Sequence, residues 1–139
     1  MTVEIAVVSD QVLVAEQYDK VVRSDASGAV VLFSGVVRDH DADRAVRLLE
    51  YVAHPSAEDV LQAVAADVAA DPEVHAVAVG HRVGTLAVGD TALIAAVSAA
   101  HRGVAFAACA RLVEQVKAQL PVWKRQVFGD GTDEWVGSA

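Results

Sequence analysis

"VHAVAVGHRVGTLAVGDTALIAAVSAA", residues 74–100, holds two strand-like runs with no helix between them. "VHAVAVGHRVG" and "TALIAAVSAA" are dense in small and β-branched apolar residues and are joined around "LAVGD". Working outward, "HPSAEDVLQAVAADVAAD" before them reads as a helix, with Ser56 and Asp59 in a capping-box pattern and Val60, Leu61, Val64 and Val68 on one face. After them, "HRGVAFAACARLVEQVKAQL" sets Phe106, Cys109, Leu112, Val113, Val116 and Leu120 at helical spacing until Pro121 stops it. "PVWKRQVF" and "DEWVG" flank the turn-forming "GDGT" and suit a hairpin.

Toward the N-terminus, "AVRLLEYVA" reads as a strand and "RDHDADR" as a polar loop. "AVVLFSGVV", residues 29–37, has the β-branched density of a buried strand, with Gly35 suggesting a bulge. Val3 to Val8 is a short strand, and Asp10 offers an N-cap for a helix to about Arg23 with Val14, Tyr18 and Val21 on one face. Strands thus come singly and in neighbouring pairs among three helices. That pattern predicts an α+β fold with a mixed, mainly antiparallel sheet rather than a βαβ series.

The 139 residues, 54% hydrophobic, suit one domain over 1–139. A formal net charge of -8 disfavours a nucleic-acid or anionic-membrane surface, since both reward a broad basic face. Cys109 is the single cysteine, so no intrachain disulfide forms, which suits a reducing cytoplasm. "MTVEIAVVSD" lacks the basic start of a signal peptide, and no apolar run reaches the ~18 residues of a membrane span. The five histidines show no metal-ligand spacing, so no metal or cofactor is expected. No Walker loop, nucleophile elbow or dinucleotide fingerprint occurs either.

What remains is cationic. Only three lysines occur, and two of them, Lys117 and Lys124, bracket the Leu-Pro-Val-Trp turn. Pro121 and a buried Trp123 ring would make that turn rigid, and two converging ammonium groups lower each other's pKa. Arg38 follows a strand at the mouth of the polar loop. His101 and Arg102 open the third helix, where free N–H groups and a guanidinium make an anion site. Any one of these alone reads as an ordinary solvated charge; their grouping is what suggests chemistry on anions.

The segments "FSGVVR", "LLEY", "GHRVGTLAVGD", "VSAAHRGVAFAAC" and "VKAQLPVWKRQ" with "DGTDEWV", in this order, resemble the catalytic (large) subunit of molybdopterin synthase. The resemblance covers about residues 28–136 and implies an α/β-hammerhead type of fold. It implies a sulfurtransferase of molybdenum cofactor biosynthesis, which moves sulfur from the C-terminal Gly-Gly thiocarboxylate of a small ubiquitin-like subunit to cyclic pyranopterin monophosphate. It also implies a homodimer core with a small subunit at each end. The family's functional cations fall on Arg38, His101, Arg102, Lys117 and Lys124, with Phe33 lining the pocket. The resemblance implies catalytic roles for Lys117 and Lys124 and substrate binding by Phe33, Arg38, His101 and Arg102. Because Arg102 and Lys117 lie fifteen residues apart on one helix, roughly 22 Å along its axis, a composite site across the dimer is expected.

The chain departs from the family at Gln126, where Glu is common and where an amide cannot act as a base. The loop "DHDADRA" lacks the usual Asn and Gly, and "AHPSA" replaces a Tyr-x-x-Met-like segment. The chain ends soon after "EWVGSA", and so short a tail is expected to remove any C-terminal contribution to the pocket. A non-catalytic paralogue that binds a ubiquitin-like partner is the alternative, but it has no evident need for both lysines. A hydrolase of a phosphorylated small molecule lacks any nucleophile constellation.

Overall fold

The computed structural model describes residues 2–137. The expectation about the tail beyond Gly137 therefore lies outside the described residues. In chain order the elements are β1 (Thr2–Ser9), α1 (Ala15–Val22), β2 (Ala29–Val36), β3 (His40–Asp41), β4 (Arg44–Ala53), α2 (Ala57–Ala69), β5 (Val74–Arg82), β6 (Gly84–Ala87), β7 (Thr91–Ala99), α3 (Arg102–Gln119), β8 (Val122–Phe128) and β9 (Asp133–Val136).

The stretch 74–100 forms the centre of the first sheet, ordered β1-β5-β7-β2. β5 and β7 pair antiparallel, with Val77 opposite Val97 and Val79 opposite Ala95, all fully buried. β1 runs parallel to β5; the other described pairings are antiparallel. A second sheet follows β3-β4-β8-β9, with β6 also on β4. The α+β class with three helices stands, while the strands divide over two sheets rather than one. The link is β6: the segment read as a joint puts Leu86 opposite Leu49, so the chain leaves the first sheet after β5, adds a strand to the second and returns as β7. Four residues, Gly-Thr-Leu-Ala, are too short and too poor in β-branched side chains to announce a strand.

The helices cover the sheets with apolar stripes. α2 buries Ala57, Leu61, Val64, Ala65, Val68 and Ala69, and α3 buries Ala105, Ala108, Cys109, Leu112, Val113 and Val116. Phe106, expected in that stripe, lies about 100° round the helix from Ala105 and is 60% exposed. α1 begins at Ala15, not after Asp10, whose carboxylate instead accepts from the Gln11 side chain at 3.0 Å. It buries Tyr18 and Val22, an i, i+4 pair, leaving Val14 and Val21 partly exposed. The Tyr18 hydroxyl occupies the place where a Cβ on Gly80 would stand, so that strand position must be glycine.

The capping box also fails. Ser56 has helix-like φ and ψ, makes no cap bond, and directs both its N–H and its hydroxyl to His54 Nδ1, at 3.1 and 2.8 Å. Trp123 is 43% exposed opposite Val52, so the turn at Pro121 owes its order to the Pro121 carbonyl, which accepts the His54 N–H at 2.9 Å. Gly35 does mark a register shift in the β2–β7 pairing, although β2 is only half buried. No described helix is long and apolar enough to cross a membrane.

The polar loop is a tight hairpin: Asp41 pairs with Arg44, and Ala42 and Asp43 between them both have positive φ, 48° and 66°. A two-residue turn of this kind favours Asn-Gly, and L-residues with a Cβ are strained there. We expect the double variant Ala42→Asn, Asp43→Gly to be more stable by about 1 kcal/mol in urea denaturation.

Candidate active site

Arg38, Lys117 and Lys124 line one cavity of about 290 Å³ at the seam between the two sheets. Each arrives on a different element for a local reason. Arg38 follows β2 just beyond its bulge, where Val37 is anchored by N–H donation to the Asp90 carbonyl at 2.9 Å. Lys117 occupies the last turn of α3, where a cation complements the helix dipole. Lys124 lies in β8 opposite Tyr51 of β4, and Gln126, two residues on and on the same strand face, lies opposite Leu49.

The electrostatics follow from this convergence. Burial pushes the Lys124 ammonium below its usual pKa, and the positive charges of Lys117 and then Arg38 act the same way, while Asp41 opposes them. Asp41, also on the cavity wall, lies 3.5 Å from the exposed Arg38 guanidinium. Such a site suits an anion, and it contains an amine closer to neutrality than an ordinary lysine.

Other cavity residues carry polar chemistry that spacing did not single out. His81, 1% exposed, donates from Nδ1 to the Arg82 carbonyl at 2.8 Å and meets the Tyr51 ring edge-on at 4.9 Å. Burial is the main reason that its pKa is held down at about 4; the Arg82 carbonyl opposes this, and Lys117 reinforces it. Gln126 is 4% exposed, and its Oε1 has no hydrogen-bond partner. A histidine inside an apolar strand gives no signal by spacing, and Gln126 stands out only as a departure from the family's Glu; for both, only the sheet pairing shows which way the side chain faces. Among the described residues no group of three His, Cys, Asp or Glu side chains is arranged to hold a metal.

The single chain does not bring in the remaining candidates. His101 is the N-cap of α3 and Arg102 its first residue, both exposed at the end opposite Lys117. Phe33 lines a second, apolar depression with Val31, Leu32, Phe106, Cys109 and Val113.

The family model described as MoaE protein matches residues 7–119. A molybdopterin synthase catalytic subunit of Aspergillus niger is 40% identical over 115 residues, 82% of this chain and 64% of that protein. One from Nostoc is 38% identical over 123 residues, covering 87% of this chain and 74% of the relative. The chain thus spans a little under two thirds of the fungal protein's length. The crystal structure of molybdopterin synthase from Staphylococcus aureus superposes with a TM-score of 0.86 at 31% identity, covering 94% of this chain and 95% of that one.

The depressed pKa of His81 makes stability depend on pH. The unfolded imidazole binds its proton near pH 6.5 and the folded one only near 4, so stability present above pH 6.5 is lost as pH falls toward 4. The loss from this residue is about 3 kcal/mol. Denaturation at pH 7 and pH 4 should show a smaller difference for His81→Phe than for the parent.

Proposed function

The chain belongs to the MoaE protein family, and from that premise we propose that it is the catalytic subunit of a molybdopterin synthase. In this reading it transfers sulfur from the thiocarboxylate of a small ubiquitin-like subunit to cyclic pyranopterin monophosphate, working in the cytoplasm. The observation that carries the reading is the convergence of Arg38, Lys117 and Lys124 in one cavity of an otherwise acidic protein. Donor and acceptor are both anions. Their approach in a partly dehydrated pocket requires fixed positive charge at the reacting atoms.

The thiocarboxylate sulfur attacks an electrophilic ring carbon of the pterin substrate, the carbon–oxygen bond there breaks and its oxygen leaves protonated; water then cleaves the acyl–sulfur bond, leaving a thiolate on the pterin and a carboxylate on the small subunit. Lys117 stabilises the thiocarboxylate and the transient acyl species. Lys124, with its lowered pKa, serves as proton donor or charge stabiliser at the pterin-side oxygen. Arg38 holds the phosphate. A small subunit ending in Gly-Gly would present its tail to this cavity, and two such transfers complete a dithiolene.

His101, Arg102 and Phe33 enter through a homodimer. The apolar depression beside exposed Phe106 supports self-association through α3 and β2. A two-fold contact there would lay the start of one α3 beside the end of its partner's, making the site composite.

The test is to combine the purified protein with a thiocarboxylated Gly-Gly partner and cyclic pyranopterin monophosphate and to assay dithiolene formation. A protein that binds the partner but forms no product would be the non-catalytic paralogue. Lys117→Ala and Lys124→Ala should each lower single-turnover rates at least about 100-fold, with little change in stability. Dimers refolded from a mixture of Arg102→Ala and Lys117→Ala chains should recover about a quarter of parental activity, because half are mixed and each of those has one intact site. Absence of recovery in verified heterodimers would rule out the composite site.

A further inference from the structure

Beside the three cations, the cavity has a neutral wall. Gln126 belongs to it, 4% exposed and with Oε1 unpartnered. His81 belongs to it as well: Nδ1 must carry the proton given to the Arg82 carbonyl, so in the neutral ring Nε2 holds the lone pair and is an acceptor. Tyr51 joins the two, standing edge-on to His81 and opposite Lys124 on the strand that also backs Gln126.

This wall differs chemically from the cations. Arg38, Lys117 and Lys124 offer only N–H donors, which an anion satisfies. Gln126 and His81 offer acceptors, and a buried amide oxygen without a donor is costly until one arrives. The terminal torsion of a glutamine is broad, so a small rotation can turn the amide toward a ligand. An anion alone would leave the Gln126 oxygen unpaired; an anion attached to a ring that bears N–H groups would satisfy both parts.

We propose that Gln126, supported by His81, is the specificity-determining element of the cavity, accepting hydrogen bonds from the ring N–H groups of a phosphorylated heterocycle. The proposal rests on the pterin reading for the identity of the ring and adds how the ring is told apart from other phosphates. The glutamine is suited to this because, unlike a carboxylate, it accepts from a ring N–H without also neutralising Lys124.

The experiment measures binding by calorimetry with three probes: cyclic pyranopterin monophosphate, guanosine 5′-monophosphate and phenyl phosphate, the last having a flat ring and a phosphate but no N–H. The expected result is that the parent protein prefers the pyranopterin over phenyl phosphate and that Gln126→Leu cuts this preference about 10-fold, leaving phenyl phosphate binding unchanged. Loss of an orphan acceptor should leave the variant at least as thermostable as the parent. Should Gln126→Leu not fold, Gln126→Met, similar in shape and without an amide, is read in the same way. An unchanged preference, or an equal loss for both ligands, overturns the proposal. If the parent ignores the pyranopterin yet prefers the guanosine phosphate over phenyl phosphate in a Gln126-dependent manner, the recognition wall stands and the pterin reading falls. A parent that binds all three alike refutes the wall.

Discussion

Mutual repulsion among Arg38, Lys117 and Lys124 is the interaction around which this molecule is organised. Three like charges on one 290 Å³ cavity do not assemble by themselves, and their convergence has to be imposed by backbone. The β4–β8 ladder fixes Lys124 opposite Tyr51, α3 fixes Lys117 by packing Leu112, Val113 and Val116 into the core, and the β2 bulge ends the strand just before Arg38. Each cation therefore stands on an element whose own stability comes from apolar burial elsewhere. Among the described residues on the cavity wall, Asp41 is the one carboxylate.

Two sheets, rather than one, make this arrangement possible. β6 leaves the first sheet to pair with β4 in the second, and the cavity opens where they meet, lined by His81 from one sheet and by Tyr51, Lys124 and Gln126 from the other. A single continuous sheet would have placed these residues side by side on one surface. Division into two sheets turns a surface into a recess, and the recess is what lowers the pKa of Lys124 and keeps His81 neutral.

Sequence spacing revealed the elements whose periodicity is long and strong: the β5–β7 pair, α2, α3 and the β8–β9 hairpin all appear where the pattern put them. It also revealed the scarce cations, because two of three lysines around one proline stand out in an acidic chain. It failed where local signals compete with tertiary contacts. Ser56 had the right capping neighbour three residues on but bonded to His54 instead, and Phe106 matched the helical spacing yet fell outside the buried stripe. His81 was silent and Gln126 stood out only as a departure from the family pattern, not as a cavity residue, because facing direction in a strand depends on register, and register is set by a partner strand far away in sequence. The separation of His101 and Arg102 from the cavity could be read in advance, since helix rise alone sets it.

The parallel pairing of β1 with β5 also constrains the order of assembly. Ile5 pairs with Ala78 and Ser9 with Arg82, a separation of about 70 residues, and β1 is an edge strand with no second neighbour. During synthesis β1 must therefore leave the ribosome and wait, its Val and Ile side chains unprotected, until about half of the chain has followed. The first sheet can close only after β5 emerges, so β1, held on one side alone, has a ladder that local contacts cannot build.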